Sequence, residues 1–294
     1  MKKLPVVGST AATTTFCMDR IDGLGGTFLY VDGNAKICRT NGTFSNPKPN
    51  AFSLPAAGLS GIEHCPGSTE TCRKACYVEG LNRAQPALYA LYQENATQIR
   101  EILADPQLAN DWAMRFATWI TQNAPGGFRW HVSGDCFSLA YAEWIADVCR
   151  EAPTVEFWIY TRSFEFLKPL VEVSTIRGGN LAINLSADVD NFQVAVDAVM
   201  TYAPPIVPLG EPAGKWLRLA YLTIDGTLPA LEEGDVVFPD YALRPRAVAS
   251  LADSEWWQGL TPGQKRSVCV VDAHGKSDKN RCGTAPGQCS KCLT

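Results

Sequence analysis

Residues 127–162 read GFRWHVSGDCFSLAYAEWIADVCREAPTVEFWIYTR, and this stretch decides the fold. FRWHVSGD alternates apolar and polar side chains, as a strand with one buried face does. SLAYAEWIADVCREA has the apolar spacing of an amphipathic helix, with Ser138 as its N-cap. TVEFWIYTR then predicts a second strand. A strand, a helix and a strand in this order predict a right-handed βαβ unit and a parallel sheet.

The same alternation continues toward the C-terminus. NLAINLSAD, KWLRLAYLTIDG and GDVVFPD predict further strands, and SFEFLKPLVEV and VDNFQVAVDAVMTYA predict the helices between them. Upstream, residues 86–123 predict two helices broken near Asp105-Pro106. No G-x-G-x-x-G motif follows a strand and no Walker A sequence is present. We therefore expect an α/β fold: a partial parallel (β/α) barrel of the TIM-like type, with a Cys-rich, metal-bound C-terminal tail.

Composition excludes several other classes. The 294 residues carry 26 basic and 30 acidic side chains, a net charge of −4 and 46 % apolar residues, which argues against wholesale disorder. No long apolar run predicts a membrane span, and no apolar segment near the N-terminus predicts a secretory signal. We expect a cytoplasmic protein. We divide it into a strand and loop segment at 1–60 packing on the barrel, the partial barrel at 61–266, and the metal-binding tail at 267–294.

Eleven cysteines in a chain with no predicted secretory signal favour metal or redox chemistry over a disulfide framework, with unliganded thiols as the alternative. Cys65, Cys72 and Cys76 form a C-x6-C-x3-C group. Three such thiolates can hold three irons of a [4Fe–4S] cluster and leave the fourth iron open, or they can supply three ligands of a zinc site.

A second cysteine group lies near the C-terminus, with the spacing C-x12-C-x6-C-x2-C. Four thiols suffice for a closed zinc site or for a second iron–sulfur cluster. A structural metal that holds the tail is the simpler interpretation. The predicted ligands are Cys269, Cys282, Cys289 and Cys292.

Polar residues follow the predicted strands at the end where a parallel barrel carries its chemistry. Asp135 ends the glycine turn His131-Val132-Ser133-Gly134 and is a candidate base, nucleophile or substrate anchor, or else a cap of the next helix. His131 is the second catalytic candidate, or else a satisfied interior histidine. Arg162 suits a carboxylate or phosphate, or a salt bridge across the mouth of the barrel.

The next strand offers hydrogen-bonding groups that suit a ribose or an amino acid moiety, or that serve as ordinary loop caps. These candidate cofactor-binding residues are Asn184, Ser186 and Asp188.

On these residues the chain resembles a phage-associated family, the actinophage gene product 88-like proteins. Members pair F-x-L-P and T-C-P-G-x-T-x-x-C-x-x-x-C-Y motifs with a later S-G-D-F, an F-Y-x-Y-T-[KR]-S strand and a C-G-x-C-x-x-C tail. Cys136 stands where the family pattern has an aromatic residue. The corresponding segments of this chain are 52–55, 65–77, 133–135, 157–163 and 282–292.

More distantly, the layout is similar to radical S-adenosylmethionine enzymes, which are partial parallel barrels with three cysteines in an early loop. Their common motif is C-x3-C-x2-C, and the spacing here differs from it. This resemblance implies a [4Fe–4S] cluster on the first cysteine group, with S-adenosylmethionine at the open iron. The residues expected to line the cofactor or substrate are Asp135, Arg162, Asn184, Ser186 and Asp188.

Three hypotheses about function follow. The first is a radical S-adenosylmethionine type iron–sulfur enzyme that modifies a nucleic acid or nucleoside. The second is a zinc-dependent, base-exchanging transferase, remotely similar to tRNA-guanine transglycosylases, with Asp135 as nucleophile or base and zinc in the tail. The third is a non-catalytic, metal-stapled binding protein. None of the three involves a membrane.

Overall fold

One sheet organises the part of the chain that the computed structural model describes. The described residues are 18–33, 49–57, 62–76, 78, 80, 85–175, 179–202, 217–231, 235–239 and 254–268. The strands are β1 (Met18–Asp22), β2 (Phe28–Asp32), β3 (Ala51–Phe52), β4 (Phe128–Trp130), β5 (Phe157–Thr161), β6 (Leu181–Ala187), β7 (Leu217–Thr223) and β8 (Val236–Pro239). The helices are α1 (Glu70–Lys74), α2 (Pro86–Ala104), α3 (Pro106–Asn123), α4 (Leu139–Glu151), α5 (Leu167–Thr175), α6 (Phe192–Tyr202), α7 (Glu255–Gly259) and α8 (Pro262–Ser267).

The order of strands in the sheet follows their order in the chain, from β1 to β8. β1 pairs with β2 and β2 with β3 in antiparallel fashion, and every pair from β3 to β8 is parallel. The predicted α/β class with a parallel sheet is therefore confirmed. The first three strands continue the same sheet, and Val268 extends it by a bridge to Val237.

Local signals placed most helices correctly. α2 and α3 meet at Asp105, whose carboxylate accepts hydrogen bonds from the Gln107 and Leu108 N–H groups and so caps α3. Pro106 opens α3 at a position where no N–H is needed. Ser138 caps α4 as predicted, accepting from the Tyr141 N–H.

Two details near the N-terminus differ from expectation. The sequence NPKPNAFSLPAAG at 46–58 predicts a loop, yet it contains β3, a strand of two residues. The pair Asp32-Gly33 predicts a hairpin turn, but the hairpin between β1 and β2 turns through residues 23–27, and Asp32-Gly33 leads into residues outside the described ones. Residues 269–294, which hold the predicted metal-binding cysteines of the tail, also lie outside the described residues.

No helix among the described residues has both the length and the apolar character needed to cross a membrane.

Alternate side chains of the strands face two different environments. Phe128, Trp130 and Phe157 pack with helix residues, among them Phe116 of α3 and Trp144 of α4, in the main apolar core. This aromatic packing covers one face of the sheet and supports β4 and β5, whose ends carry the residues described below.

The opposite face is more polar. Trp158 and Tyr160 belong to a smaller cluster that contains only strand residues. The Arg129 guanidinium lies 4.8 Å from the centroid of the Tyr160 ring, and Asn184 pairs in register with Tyr160 on the next strand.

A buried carboxyl group joins β2, β3 and α2. Asp32 accepts hydrogen bonds from the Ser53 Oγ at 3.0 Å and from the Tyr92 hydroxyl at 2.8 Å. Burial nevertheless raises the pKa of Asp32 from 3.8 to about 6. The folded-state pKa thus lies above the unfolded value, so the charged form destabilises the folded protein at neutral pH. This penalty is lost as the pH falls through 6 toward 3.8.

We expect Asp32→Asn to remove this pH dependence. As the pH falls from 7 to 4, the free energy of unfolding of the wild type should rise by up to roughly 3 kcal/mol relative to that of the variant. Urea unfolding of both proteins across this range measures the difference. Asp111→Asn on the surface of α3 is the matched control and should follow the wild type. A difference between wild type and Asp32→Asn that does not vary with pH would contradict the prediction.

Candidate functional site

Segments that follow four neighbouring parallel strands meet at the carboxyl edge of the sheet. The segment after β3 carries the cysteine loop (residues 62–76), and Asp135 follows β4. Arg162 follows β5 and Asp188 follows β6. Direct hydrogen bonds join all four segments, so the structure brings together residues that are far apart in the sequence.

Asp135 ties the end of β4 to the end of β5. Its Oδ1 accepts from the Cys136 N–H and its Oδ2 from the Arg162 N–H, both at 2.7 Å. Its own N–H donates to the His64 carbonyl at 2.7 Å, which joins it to the cysteine loop. Burial raises the pKa of Asp135, while hydrogen bonds from Thr161 and from main-chain N–H groups lower it. Asp135 does not cap α4, because Ser138 does so.

Arg162 and Asp188 form a buried ion pair. The Arg162 Nη1 lies 2.9 Å from the Asp188 Oδ2, and the two side chains are 9 % and 0 % exposed. The same Nη1 donates to the Ser186 carbonyl at 2.9 Å. Of the two roles considered for Arg162, the salt bridge across the strand ends is the one that these contacts form.

The cysteine loop is anchored on β6 through α1. The Thr69 hydroxyl donates to the Asp188 Oδ2 at 2.6 Å and also accepts from the Cys72 N–H at 2.9 Å as the N-cap of α1. The Asp190 Oδ2 accepts from the Thr71 N–H at 2.9 Å. The position of Cys72 therefore depends on two carboxylates that follow β6.

A close backbone contact seats the same loop on β5. A Cβ added to Gly67 would lie 2.1 Å from the Arg162 carbonyl oxygen and 2.9 Å from the Ser163 nitrogen. Only glycine allows this approach. Gly134 has a comparable role in the turn after β4, because it adopts φ +80° and its Cβ would lie 2.5 Å from that of Leu54.

The three cysteines of this loop are half-buried and share one electrostatic environment. Burial raises the pKa of the Cys65 thiol, and negative charge on Asp135, Cys72 and Cys76 raises it further. Burial also raises the pKa of Cys72, although the nearby Arg162 lowers it. At neutral pH these raised pKa values keep the groups as thiols, and a bound metal ion would hold them as thiolates.

His131 occupies a strained position directly after β4. Its φ is 61°, and among the described residues it is the only one other than glycine with a positive φ. The ring Nε2 lies 2.9 Å from the Tyr141 hydroxyl of α4. Burial lowers the pKa of His131 to about 3, so the ring is neutral at physiological pH.

The turn after β4 places three ligand-type groups side by side. A ring nitrogen of His131, a carboxylate oxygen of Asp135 and the Cys136 Sγ all lie within 4.8 Å of one another. The alternation of FRWHVSGD as a strand predicts that His131 and Asp135 lie on the same side of the sheet. Here the turn after Trp130 joins them instead, because β4 ends before His131.

The two remaining candidates on β6 take part in the sheet. Asn184 is fully buried, and its Nδ2 donates to the Ile159 carbonyl at 3.2 Å. Ser186 contributes its main-chain carbonyl to Arg162 and Asn191. Binding of a cofactor by Asn184 or Ser186 stays a prediction, and so does metal binding by the tail cysteines outside the described residues.

Sequence reasoning missed Thr69 and Gly67, which position the cysteine loop. Thr69 was detectable, because a Thr three residues before Cys72 at the start of a helix is a typical N-cap. Its second partner, Asp188, was not detectable, because it lies 119 residues away. The role of Gly67 depends on the same long-range contact.

Together these features define an α/β protein with a cysteine loop anchored at the carboxyl edge of a parallel sheet. The family model described as Gene product 88 matches residues 28–285, and the chain belongs to this family. The match confirms the gene product 88 resemblance and gives no support to the radical S-adenosylmethionine resemblance, which stays a prediction.

Two phage proteins are similar to this chain. It is 34 % identical over 150 residues to the Gene 88 protein of Mycobacterium phage L5 and 32 % identical over 154 residues to that of Mycobacterium phage D29. Each alignment covers 50 % of this chain and 60 % of the phage protein, so the chain spans about 60 % of the length of these relatives. Both agree with the expected phage origin. No solved structure matches the chain.

Proposed function

We propose that this protein is an iron–sulfur enzyme of the radical S-adenosylmethionine type, whose cluster is held by the cysteine loop and whose substrate is a nucleic acid or nucleoside. The observation that carries the proposal is the convergence of Cys65, Cys72, Asp135, Arg162 and Asp188 at one edge of a parallel sheet. We further propose that it acts in the cytoplasm of the host.

The strand order supports a partial (β/α) barrel. From β3 to β8 each parallel strand pairs with the next strand in the chain, which is the order of a barrel and not of a doubly wound sheet. The cysteine loop follows the first of these six parallel strands. In barrels the segments after the carboxyl ends of the strands carry the chemistry, and the candidate site lies there.

The residues of the loop fit a [4Fe–4S] cluster. Three sulfurs within electrostatic reach of one another are the number that leaves one iron open. When bound, such a cluster supplies one-electron chemistry to a molecule at its open iron. The protein's own part is to fix the loop: Thr69 and Asp190 hold α1, and Gly67 seats the loop against β5.

The polar face of the sheet suits the proposed substrate. Arg129 lies over the ring of Tyr160, and the neighbouring β6 and β7 place Asn184 and Arg218 in register with each other. Cationic, aromatic and amide groups together can bind a phosphate, stack on a base and form hydrogen bonds to its edge.

The base-exchange alternative gains less support from the geometry. A nucleophilic or basic Asp135 needs an oxygen that reaches the substrate, yet the residue is 6 % exposed and both of its oxygens accept main-chain N–H groups. These contacts fit a residue that positions the strand ends. A non-catalytic, metal-stapled binding protein remains the outcome if no turnover accompanies the metal.

Metal and acid-labile sulfide analysis of the anaerobically reconstituted protein tests the proposal. We expect Cys72→Ala to lose about four iron and about four sulfide per chain relative to wild type, since one cubane contains that number. Cys149→Ala is the matched control, because Cys149 is buried within α4 in the main core, and it should keep the wild-type content. Cleavage of S-adenosylmethionine by the reduced protein is then the activity assay.

Three results would overturn parts of the proposal. Equal iron and sulfide in Cys72→Ala and wild type would exclude the loop as the cluster site. Zinc without sulfide would favour a zinc-stapled protein. A loaded cluster without cleavage of S-adenosylmethionine would exclude the radical enzyme.

A further inference from the structure

The turn after β4 contains a second group of ligand-type atoms, separate from the three loop cysteines. His131, Asp135 and Cys136 are 2 %, 6 % and 0 % exposed. A ring nitrogen, a carboxylate oxygen and a sulfur from these residues lie within 4.8 Å of one another. Among the described residues, it is the only group of three or more His, Cys, Asp or Glu side chains whose ligand atoms lie this close together.

His131 has the hydrogen bonding of a metal-binding histidine. Its Nε2 is 2.9 Å from the Tyr141 hydroxyl, while its Nδ1 is buried and has no hydrogen-bond partner. Ligating histidines commonly donate their second ring N–H to another group, which fixes the tautomer and the ring orientation. A buried ring nitrogen without a partner costs free energy unless a ligand occupies it.

The other two groups are also available. Each oxygen of Asp135 accepts one main-chain N–H and the Thr161 side chain also donates to this carboxylate, so an ion would share the carboxylate with these donors. Cys136 is adjacent in sequence, and its N–H binds the same carboxylate. One short turn therefore fixes two of the three donors relative to each other.

The backbone of this turn is held in place from two sides. The Arg129 Nε donates to the His131 carbonyl, and the Asp135 N–H donates to the His64 carbonyl. His131 keeps a positive φ that costs about 1–3 kcal/mol for a residue of this type. Binding of an ion would offset this cost.

We propose that His131, Asp135 and Cys136 bind one divalent zinc-type ion, at a site separate from the cysteine loop. One nitrogen, one oxygen and one sulfur form a donor set that Zn²⁺ accepts in four-coordinate geometry. A water completes the fourth position, because the Tyr141 hydroxyl is already the partner of His131 Nε2. Through the bond from Asp135 to His64, the ion steadies the base of the loop that carries Cys65.

This inference rests on the geometry of the turn and does not depend on the proposed iron–sulfur function. The two are distinguishable, because the cluster is tested by sulfide content and Cys72→Ala, and the zinc-type site by cobalt binding and changes in the turn. Cys72→Ala should lose the cluster and keep the Co²⁺ bound in the turn, whereas Cys136→Ala should lose that Co²⁺ and keep the cluster.

Titration of metal-free, full-length protein with Co²⁺ under anaerobic conditions is the experiment. We expect Cys136→Ala and His131→Gln each to bind one Co²⁺ fewer per chain than wild type. Cys136→Ala should also lose part of the sulfur-to-cobalt charge-transfer absorption. Cys149→Ala, which removes a buried cysteine of α4 outside the turn, should bind the wild-type number. The double variant Cys72→Ala/Cys136→Ala should bind one Co²⁺ fewer per chain than Cys72→Ala.

A second measurement covers variants that fold poorly. Added Zn²⁺ should raise the Tm of wild type and of Cys72→Ala, because an ion that binds only the folded state stabilises it. It should raise the Tm of Cys72→Ala/Cys136→Ala less than that of Cys72→Ala. Unchanged Co²⁺ stoichiometry in both Cys136→Ala and His131→Gln would overturn the proposal. Equal Tm shifts in Cys72→Ala and Cys72→Ala/Cys136→Ala would also overturn it.

Discussion

Replacing Asp188 with alanine is expected to lower the free energy of unfolding by about 3–5 kcal/mol, because it leaves the charge of a buried arginine without its partner. The Arg162 side chain is 9 % exposed, and its Nη1 then keeps only the neutral Ser186 carbonyl as a hydrogen-bond acceptor among the contacts described above. The Thr69 hydroxyl loses its acceptor as well. Urea unfolding monitored by circular dichroism measures the loss.

Asp190→Ala is the matched control for this prediction. Asp190 also accepts a hydrogen bond from α1, through the Thr71 N–H, but this contact is exposed to solvent. We expect only a small loss of stability there, because solvent and salt screen an exposed carboxylate. If Asp188→Ala were no less stable than Asp190→Ala, the buried ion pair would not contribute as the structure indicates.

The second large effect is expected at Gly67, where a side chain as small as alanine forces the cysteine loop away from β5. The added Cβ would lie 2.1 Å from the Arg162 carbonyl oxygen, and both contacting segments are backbone. Overpacking of this kind costs about 1–3 kcal/mol. The displaced loop should hold well below the wild-type amount of iron after reconstitution, which elemental analysis measures.

Gly80→Ala provides the control, because a Cβ at Gly80 meets no atom within 4 Å. It should keep the wild-type iron content and stability. Normal iron loading in Gly67→Ala would mean that the cysteine loop does not need its seat on β5.

The sequence predicted those parts of the fold that depend on local chemistry. The break between α2 and α3 follows from Asp105 as a cap and Pro106 as the first helical residue. The parallel sheet follows from alternating strands and helices. β3 escaped detection because two residues carry no periodic pattern, and their pairing with Asp32 and Arg129 supplies the structure instead.

The candidate site was predictable only in outline. The rule that strand ends of a parallel sheet meet at one edge correctly brought Asp135, Arg162 and Asp188 together. The rule does not say which groups pair, because contacts such as that between Thr69 and Asp188 depend on register and loop path. His131 shows the same limit, since its positive φ ends the alternation on which its orientation was predicted.

The long separation between Thr69 and Asp188 determines when the site can assemble. The two residues are 119 positions apart, so a growing chain exposes Cys65, Cys72 and Cys76 long before it contains the carboxylate that anchors their loop. Contacts of high sequence separation form slowly, because the entropy of closing the long loop opposes them until the intervening chain is ordered. The cysteine loop therefore reaches its final position only after β4, β5 and β6 have paired. If the loop holds the proposed cluster, the cluster is therefore inserted into the finished sheet and not into the emerging chain.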